Sequence, residues 1–313
     1  MLSTDLRPRT TQLNTELRLE LWNGKLVVQP GYYRHATAHS GVAQLLPITL
    51  TSDVLLLRDV DLRNQGLELS VSSVLTKGEQ VYCQLTFAAA HNQQTVQRIE
   101  GSQPVPGLAV GETVHPYFGY QRQGLDGSGQ LQYRDQNGDG LMNAADASYF
   151  GQGLPSWLLN LSEELTVGRF TLQTQLDAML GYQLLNPVLA RLDQPTAATN
   201  ASQRVLGRWT PAAPGADVPR ASFYNQPLFY DSSAPESASH LRLSQLTLSY
   251  RLPLPAPRQL RVWVGGQNLL VLSSYRGYDP NVSSGGSQGQ LAGYDDSRYP
   301  VARVWQAGVQ ASF

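Results

Sequence analysis

Apolar and polar residues alternate with period two in nine separate ribbons of this chain, the signature of half-buried β-strands. In TQLNTELRLELW, Leu13, Leu17, Leu19 and Leu21 take one side, and Asn14, Glu16, Arg18 and Glu20 the other. Asn23-Gly24 follows, the strongest short hairpin signal, and KLVVQPGYYR runs back. GLELSVSSVL and QVYCQLTFAAA flank a turn at Lys77-Gly78, and PSWLLNLSEELTV and TLQTQLDAMLGYQL flank Gly168-Arg169. HLRLSQLTLSYRLP changes phase once, from Leu241 and Leu243 to Leu246, Leu248 and Tyr250, which predicts a β-bulge near Ser244-Gln245. PLPAPRQ then turns the chain into QLRVWVGGQNLLVL, and RVWQAGVQASF is the ninth ribbon. Termini usually fray. Here Trp305, Ala307, Val309, Ala311 and Phe313 hold one apolar face to the last residue.

These ribbons are longer than the five or six residues usual in soluble sheets, and about ten tilted residues cross a bilayer. The connections divide by length as well. Tight turns at Asn23-Gly24, Lys77-Gly78, Gly168-Arg169 and 253–258 alternate with long segments at about 37–63, 92–154, 187–238 and 274–302. Short turns at one end and long loops at the other predict an all-β, antiparallel transmembrane β-barrel wall, with the long loops outside the cell. The alternative is a soluble or surface β-sandwich, a carbohydrate-binding module with calcium in one loop, because a sandwich also alternates. A bare structural barrel without import is a third reading. Glu163 shares the register of Trp157, Leu159 and Leu161, so it is expected near the short-turn end, below the lipid zone.

Composition narrows the partners. Only 15% of residues are charged, against 28 Gly and 19 Pro, which favours strands and turns over helices. A net charge of −1 without a basic stripe gives no reason to expect nucleic acid. Cys83 is the single cysteine, so neither an internal disulfide nor a multi-cysteine metal site is available. No run of about 18 apolar residues marks a transmembrane helix, and MLSTDLRPRTTQLNTEL lacks the apolar core of a secretory signal.

Six blocks carry a family likeness: NQGLELS (64–70), YRDQNGDGLMNAADASYFG (133–151), RWTPAAPGADVPRA (208–221), HLRLSQLTLSYRLP (240–253), GQNLLVLSSYRGYDPNVS (266–283) and RYPVARVWQAGVQASF (298–313). In order and spacing they resemble the C-terminal barrel region of SusC/RagA-type TonB-dependent outer-membrane transporters, across essentially the whole chain, residues 1–313. The resemblance implies about the last nine strands of a 22-stranded barrel. It implies that Trp305, Val309 and Phe313 form the signal read by the barrel-assembly machinery, the last strand closing the barrel against the first. It also implies outer-membrane lipid, a SusD-like surface lipoprotein and the TonB complex as partners in nutrient uptake of oligosaccharide or peptide. Signal peptide, small N-terminal β-domain, TonB box, plug and about thirteen earlier strands of that pattern have no counterpart here. The chain is therefore expected to be a fragment, reaching the outer membrane only within a complete exported protein and not transport-competent alone. Ser239-His240 stands where the pattern has an aromatic.

The sharpest chemical motif is an EF-hand-like loop: Asp135, Asn137, Asp139, the Leu141 carbonyl, Asn143 and Asp146, with Gly140 at the sharp turn. Oxygens on alternate residues can wrap a hard cation, so a structural Ca²⁺ is the one cofactor contemplated and none is required. Asp146 replaces the usual bidentate Glu and reaches less far. The alternative is an Asn/Asp/Gly turn held by side-chain-to-backbone bonds. Gly285-Gly286-Ser287-Gln288-Gly289 spells a nucleophile elbow, yet it lies in a flexible loop rather than between strand and helix. His35, His39, His91, His115 and His240 are scattered, and Glu163-Glu164 and Asp295-Asp296 point to opposite sides of an extended chain. No catalytic constellation emerges, so the chain is not expected to be an enzyme. Loop aromatics are the candidate contacts for ligand or partner: Trp209, Phe223, Tyr224, Phe229 and Tyr230 in one connection, and Tyr275, Tyr278, Tyr294 and Tyr299 in another.

Overall fold

The computed structural model describes residues 7–49, 52–78, 80–100, 108–114, 116–194, 200–221, 231–255, 258–282, 293–295 and 298–312. The first strands are β1 (Arg9–Glu16), β2 (Leu19–Leu21), β3 (Leu26–Thr49), β4 (Ser52–Lys77) and β5 (Val81–Ile99). The next connection holds four short strands, β6 (Pro116–Tyr120), β7 (Arg122–Leu125), β8 (Leu131–Tyr133) and β9 (Ala147–Gln152). After β10 (Trp157–Val167) and β11 (Phe170–Leu180) come β12 (Gln183–Leu185), helix α1 (Pro187–Leu192) and β13 (Pro235–Ser237). The chain finishes with β14 (His240–Arg251), β15 (Gln259–Ser273) and β16 (Val304–Ser312).

One antiparallel sheet dominates, in the order β1-β3-β4-β5-β10-β11-β14-β15-β16, with β2 also on β3. All nine alternating ribbons are strands, and each pairs with the next along the chain. The first ribbon is broken into β1 and β2, which makes ten strands in the sheet. Pro30 explains the break. Leu17 N donates to the Pro30 carbonyl at 3.0 Å, but proline has no N–H to return the bond. Within this chain the sheet does not close, and β1 and β16 are its two edges.

Register sorts the side chains into two faces, because residues paired across an antiparallel sheet share a side. Val71, Phe87, Leu161, Leu176, Leu243 and Leu270 make one cross-strand row, and Cys83, Leu165, Leu172, Leu248, Val264 and Ala307 another. The opposite face carries Ser70, Ala88, Asn160, Asp177 and Arg242, then Ser72, Thr86, Ser162, Gln175, Gln245 and Gln267. The predicted bulge sits at Ser244, where Gln175 pairs with Gln245 but Leu176 with Leu243. Asn268 on β15 answers it with φ 54°.

The apolar face is exposed. Trp305 is 72% accessible and Val309 69%, and Leu241, Leu248, Val264, Leu270 and Leu272 are exposed as well. Among the described residues no second sheet packs on it, and the sandwich reading is not favoured. Glu163 is also misplaced by the sequence reading. It pairs with Leu85 and Thr174, and two further apolar rows, those of Leu165 and Val167, separate it from the Gly168 turn. It lies inside the apolar band.

The tight turns follow their local chemistry. Trp22, Asn23 and Gly24 take φ 50°, 55° and 77°, a left-handed run between the paired Leu21 and Leu26, with Lys25 N donating to the Trp22 carbonyl at 3.3 Å. Gly168 at φ 58° joins Val167 to Phe170. The expected long loop at 37–63 is instead the far half of the β3–β4 hairpin, paired to Thr49–Ser52. Its LLPITL and VLLL runs are apolar on both sides, so they lack the alternation by which the other strands are read. The described parts of the remaining three connections fold into a cap, and buried apolar clusters sit there rather than on the sheet face: Tyr182, Leu184, Ala238, Tyr275 and Val282 in one, Val60, Val96 and Leu108 in another, where the cap meets the far ends of β4 and β5.

Candidate functional site

The polar face of the sheet borders a cavity of about 670 Å³ lined by Glu68, Asn160, Asp177, Arg242, Asn268 and Asn281, among others. Cross-strand register assembles its floor. Asn160 Nδ2 donates to Asp177 Oδ1 at 2.7 Å, and Ser244 Oγ, turned by the bulge, donates to Asp177 Oδ2. Arg242 follows on the same row, only 5% exposed.

Arg242 latches the cap to the wall. Its Nη2 donates to Asp279 Oδ1 at 2.5 Å, and the Asp279 side chain is equally buried. Asp279 in turn accepts from Asn281 N at 2.9 Å and Val301 N at 3.1 Å, so one carboxylate gathers two parts of the 274–302 connection. Arg242 Nε has no hydrogen-bond partner. That nitrogen is itself shielded, so the guanidinium lines the cavity without presenting this donor to it. Next to it, His240 Nδ1 donates to the Ala238 carbonyl at 3.0 Å, and Tyr182 Oη donates to the Pro280 carbonyl at 2.7 Å.

The loop aromatics divide by burial. Tyr275 Oη donates to Asp295 Oδ2 at 2.6 Å, and Asn186 Nδ2 reaches the same oxygen at 3.0 Å while its Oδ1 caps α1 through Leu189 N. Burial, together with this carboxylate, pushes the Tyr275 phenol above its ordinary pKa. Tyr294 meets Tyr117 edge-on, and Tyr117 Oη donates to the Gly293 carbonyl at 2.6 Å. Trp209 lies over Gly129, where a Cβ would stand 2.4 Å from its ring. Tyr275, Tyr294 and Trp209 are thus built into the cap's own packing, whereas Tyr278 is 84% exposed. Phe223, Tyr224, Phe229, Tyr230, Ser287 and Phe313 lie outside the described residues, while Trp305 and Val309 stand on the exposed face of edge strand β16.

Around the Asp135 loop the acceptors are occupied by backbone. Asp135 takes Gly138 N at 2.6 Å and Gly140 N at 2.8 Å, and Asp139 takes Leu141 N at 2.7 Å. Asn137 Oδ1 takes Asp139 N at 3.0 Å, and Asn143 Oδ1 takes Ala145 N at 2.9 Å. Asp146, fully buried, accepts from Asn143 N and Gln136 N at 2.8 and 2.9 Å, which holds its carboxyl below the usual range. Asp135, Asp139 and Asp146 do not bring their carboxylates together as a trio, so the loop as it stands is a set of side-chain-to-backbone turns.

Arg242, Asp279 and Asp177 escaped the sequence reading. Arg242 was visible as a cation on the polar side of its ribbon, but its partner is 37 residues away, and only the fold of the 274–302 connection unites them.

No protein-family profile matches the chain. It is 25% identical to TonB-dependent receptor P26 of Formosa agariphila over 97% of its length, and 21% identical to TonB-dependent receptor SusC of Bacteroides thetaiotaomicron, also over 97%. The chain spans about a third of the length of these curated relatives, 34% and 32%. The structure of the RagAB peptide transporter superposes with a TM-score of 0.81 at 20% identity, covering 98% of this chain and 35% of that one. The RagAB peptide importer in its open-open state gives 0.78 over 97%. The chain is similar throughout to a C-terminal barrel region of SusC/RagA-type TonB-dependent receptors, and it has their all-β fold.

Proposed function

We propose that this chain forms part of the wall and outer vestibule of an outer-membrane nutrient importer driven through TonB, whose cargo is a polar oligomer, either oligosaccharide or peptide. One observation carries the reading: a continuous antiparallel sheet exposes an apolar face across its strands and keeps hydrogen-bonding groups, with a cavity, on the other. In water such a face is a liability; in hydrocarbon it is the lowest-energy surface. The apolar rows would meet outer-membrane lipid and the polar rows a hydrated lumen. Asn268 and Asn281 would offer hydrogen bonds to passing cargo. Exposed cap residues such as Tyr278 would meet a SusD-like lipoprotein lid, and Trp305 and Val309, with Phe313, would present the last strand to the barrel-assembly machinery. The region before this one in such receptors would carry the TonB contact.

Membrane fractionation tests the premise. The protein should sediment with outer membranes, resist extraction by carbonate and urea, and need detergent for solution. A monodisperse species in plain buffer would sink the reading and restore a soluble module. Calcium in the Asp135 loop is a separate, secondary proposal: an ion there would have to draw the Asp135, Asp139 and Asp146 carboxylates together. Calorimetric titration with Ca²⁺ decides it, and no heat at millimolar calcium removes it.

A further inference from the structure

The far half of the β3–β4 hairpin, at the end of the sheet away from the short turns, carries a polar cluster that the import reading does not use. Three strands meet there. His39 comes from β3, Asp59 and Asp61 from β4, and Arg98 from β5, with Glu100 just past its end. Asp61 stands opposite Arg98 and Asp59 opposite Gly41. Between Thr37 and Ser40 the register slips, and the bulged His39 takes φ 56°. The bulge sets the histidine between the two aspartates: its backbone N donates to Asp61 Oδ1 at 3.1 Å, and its Nδ1 meets Asp59 Oδ2 at 2.8 Å. Among the described residues this is the only group of three His, Cys, Asp or Glu side chains whose ligand atoms all fall within 4.8 Å of one another.

A second observation points to a missing partner. The Asp59 side chain is only 8% exposed, and no N–H or hydroxyl donor reaches its Oδ1. The Glu100 carboxyl stands within hydrogen-bond reach of Asp59, a contact between two acids that needs a proton or a cation between them. Arg98 bonds chiefly to Asp61, Nε at 2.7 Å and Nη2 at 3.2 Å, and approaches Asp59 only to 3.5 Å. Three carboxylates therefore share one guanidinium and one imidazole. Buried acids this close are costly as anions, and a cation bridging them relieves the cost without protonating either.

We propose that His39, Asp59 and Asp61 bind a divalent transition-metal ion, Zn²⁺ being the probe of choice, with Glu100 within reach as a fourth ligand. One imidazole nitrogen with carboxylate oxygens is a donor set suited to zinc. The ion takes the place of the proton between Nδ1 and Asp59; a neutral ring then carries its single proton on Nε2 by exchange through solvent, and an imidazolium releases one proton. Zinc-to-ligand distances of about 2.0–2.2 Å hold tetrahedral ligands roughly 3.3 Å apart, so the His39–Asp59 pair opens by about half an ångström. Bound, the ion clips β3, β4 and β5 together beyond the apolar band and braces the hairpin on which the cap rests.

The test is calorimetry on the detergent-purified protein, stripped with EDTA and titrated with ZnCl₂. The expected result is a single micromolar site, weakened about tenfold or more by His39→Gln and by Asp59→Asn and unchanged by Asp135→Asn. No heat with the unaltered protein, or equal heats in all four proteins, overturns the proposal. Should either cluster variant fail to fold, Co²⁺ absorption on the unaltered protein replaces it. An intense visible band displaced by Zn²⁺ supports the site, and a spectrum no stronger than aqueous Co²⁺ overturns it.

Discussion

The wall and its cap solve the same problem in opposite surroundings. In the wall, backbone groups are satisfied by ladder bonds between neighbouring strands, and exposed side chains on the apolar face meet their cross-strand neighbours and no second layer among the described residues. The cap has little regular ladder. Its stability comes from buried polar groups that find each other over long sequence distances: Arg242 with Asp279, Tyr275 with Asp295, Arg276 with Glu236 and Asp193. The wall is therefore expected to depend on the solvent around it and hardly on individual side chains. The cap should depend on single atoms and hardly on lipid. A mutation series can separate the two.

The largest effect is expected from Asp279→Asn. Removing one charge of a buried pair strands the other, at about 3–5 kcal/mol. Hydrogen exchange should rise across the described parts of 274–302 and at β13, while the amides of β10 and β11 keep their protection. Uniform loss of protection in both regions would show that cap and wall are one cooperative unit. Next comes Leu176→Arg against its neighbour Gln175→Arg. Folding into lipid vesicles should cost roughly 2–4 kcal/mol for the first, near the bilayer midplane, and little for the second, which faces the polar side. Equal costs would refute the assignment of faces. A smaller loss, about 1–3 kcal/mol confined to the cap, is expected for Tyr275→Phe, which takes a donor from the buried Asp295. Protease sensitivity near α1 should report it.

Acid should act most gently, and only on the cap. Burial opposes ionisation of Asp193, but bonds from Ser202 and Arg276 outweigh it and hold its pKa below the ordinary value; backbone donors do the same for Asp146. A depressed folded-state pKa adds stability that is complete above the unfolded value, near 4, and is lost as pH falls through the folded value. Tyrosine fluorescence of the cap should therefore change only below about pH 4, ahead of any change in strand signal.

The contrast also explains what could be read in advance. Alternation is a local signal, so the nine ribbons, their order and even the bulge at Ser244 were visible in residues such as Leu243, Leu246 and Gln245. Where alternation lapsed, as in Leu45-Leu46-Pro47 and Val54-Leu55-Leu56-Leu57, the strands were mistaken for a loop. The cap was opaque because its meaning lies in pairings 20 to 176 residues apart, such as Tyr275 with Asp295 and Tyr117 with Gly293. The aromatics there were legible as a group, but whether each served packing or contact depended on which found a buried acceptor. Glu163 was misjudged because register to the turn, not sequence spacing alone, sets depth.

The extra residue at Ser244 has an evolutionary corollary. Side chains on β14 keep their sides on both halves of the strand only because the count is odd by one there. Losing that single codon would rotate everything beyond it, and Leu246, Leu248 and Tyr250 would swing towards the wet interior while Thr247 and Ser249 met the oil. Length variation in relatives should accordingly collect in the connections, and a frame of fixed spacing should run through the middle of this hairpin even where the identities of its residues drift.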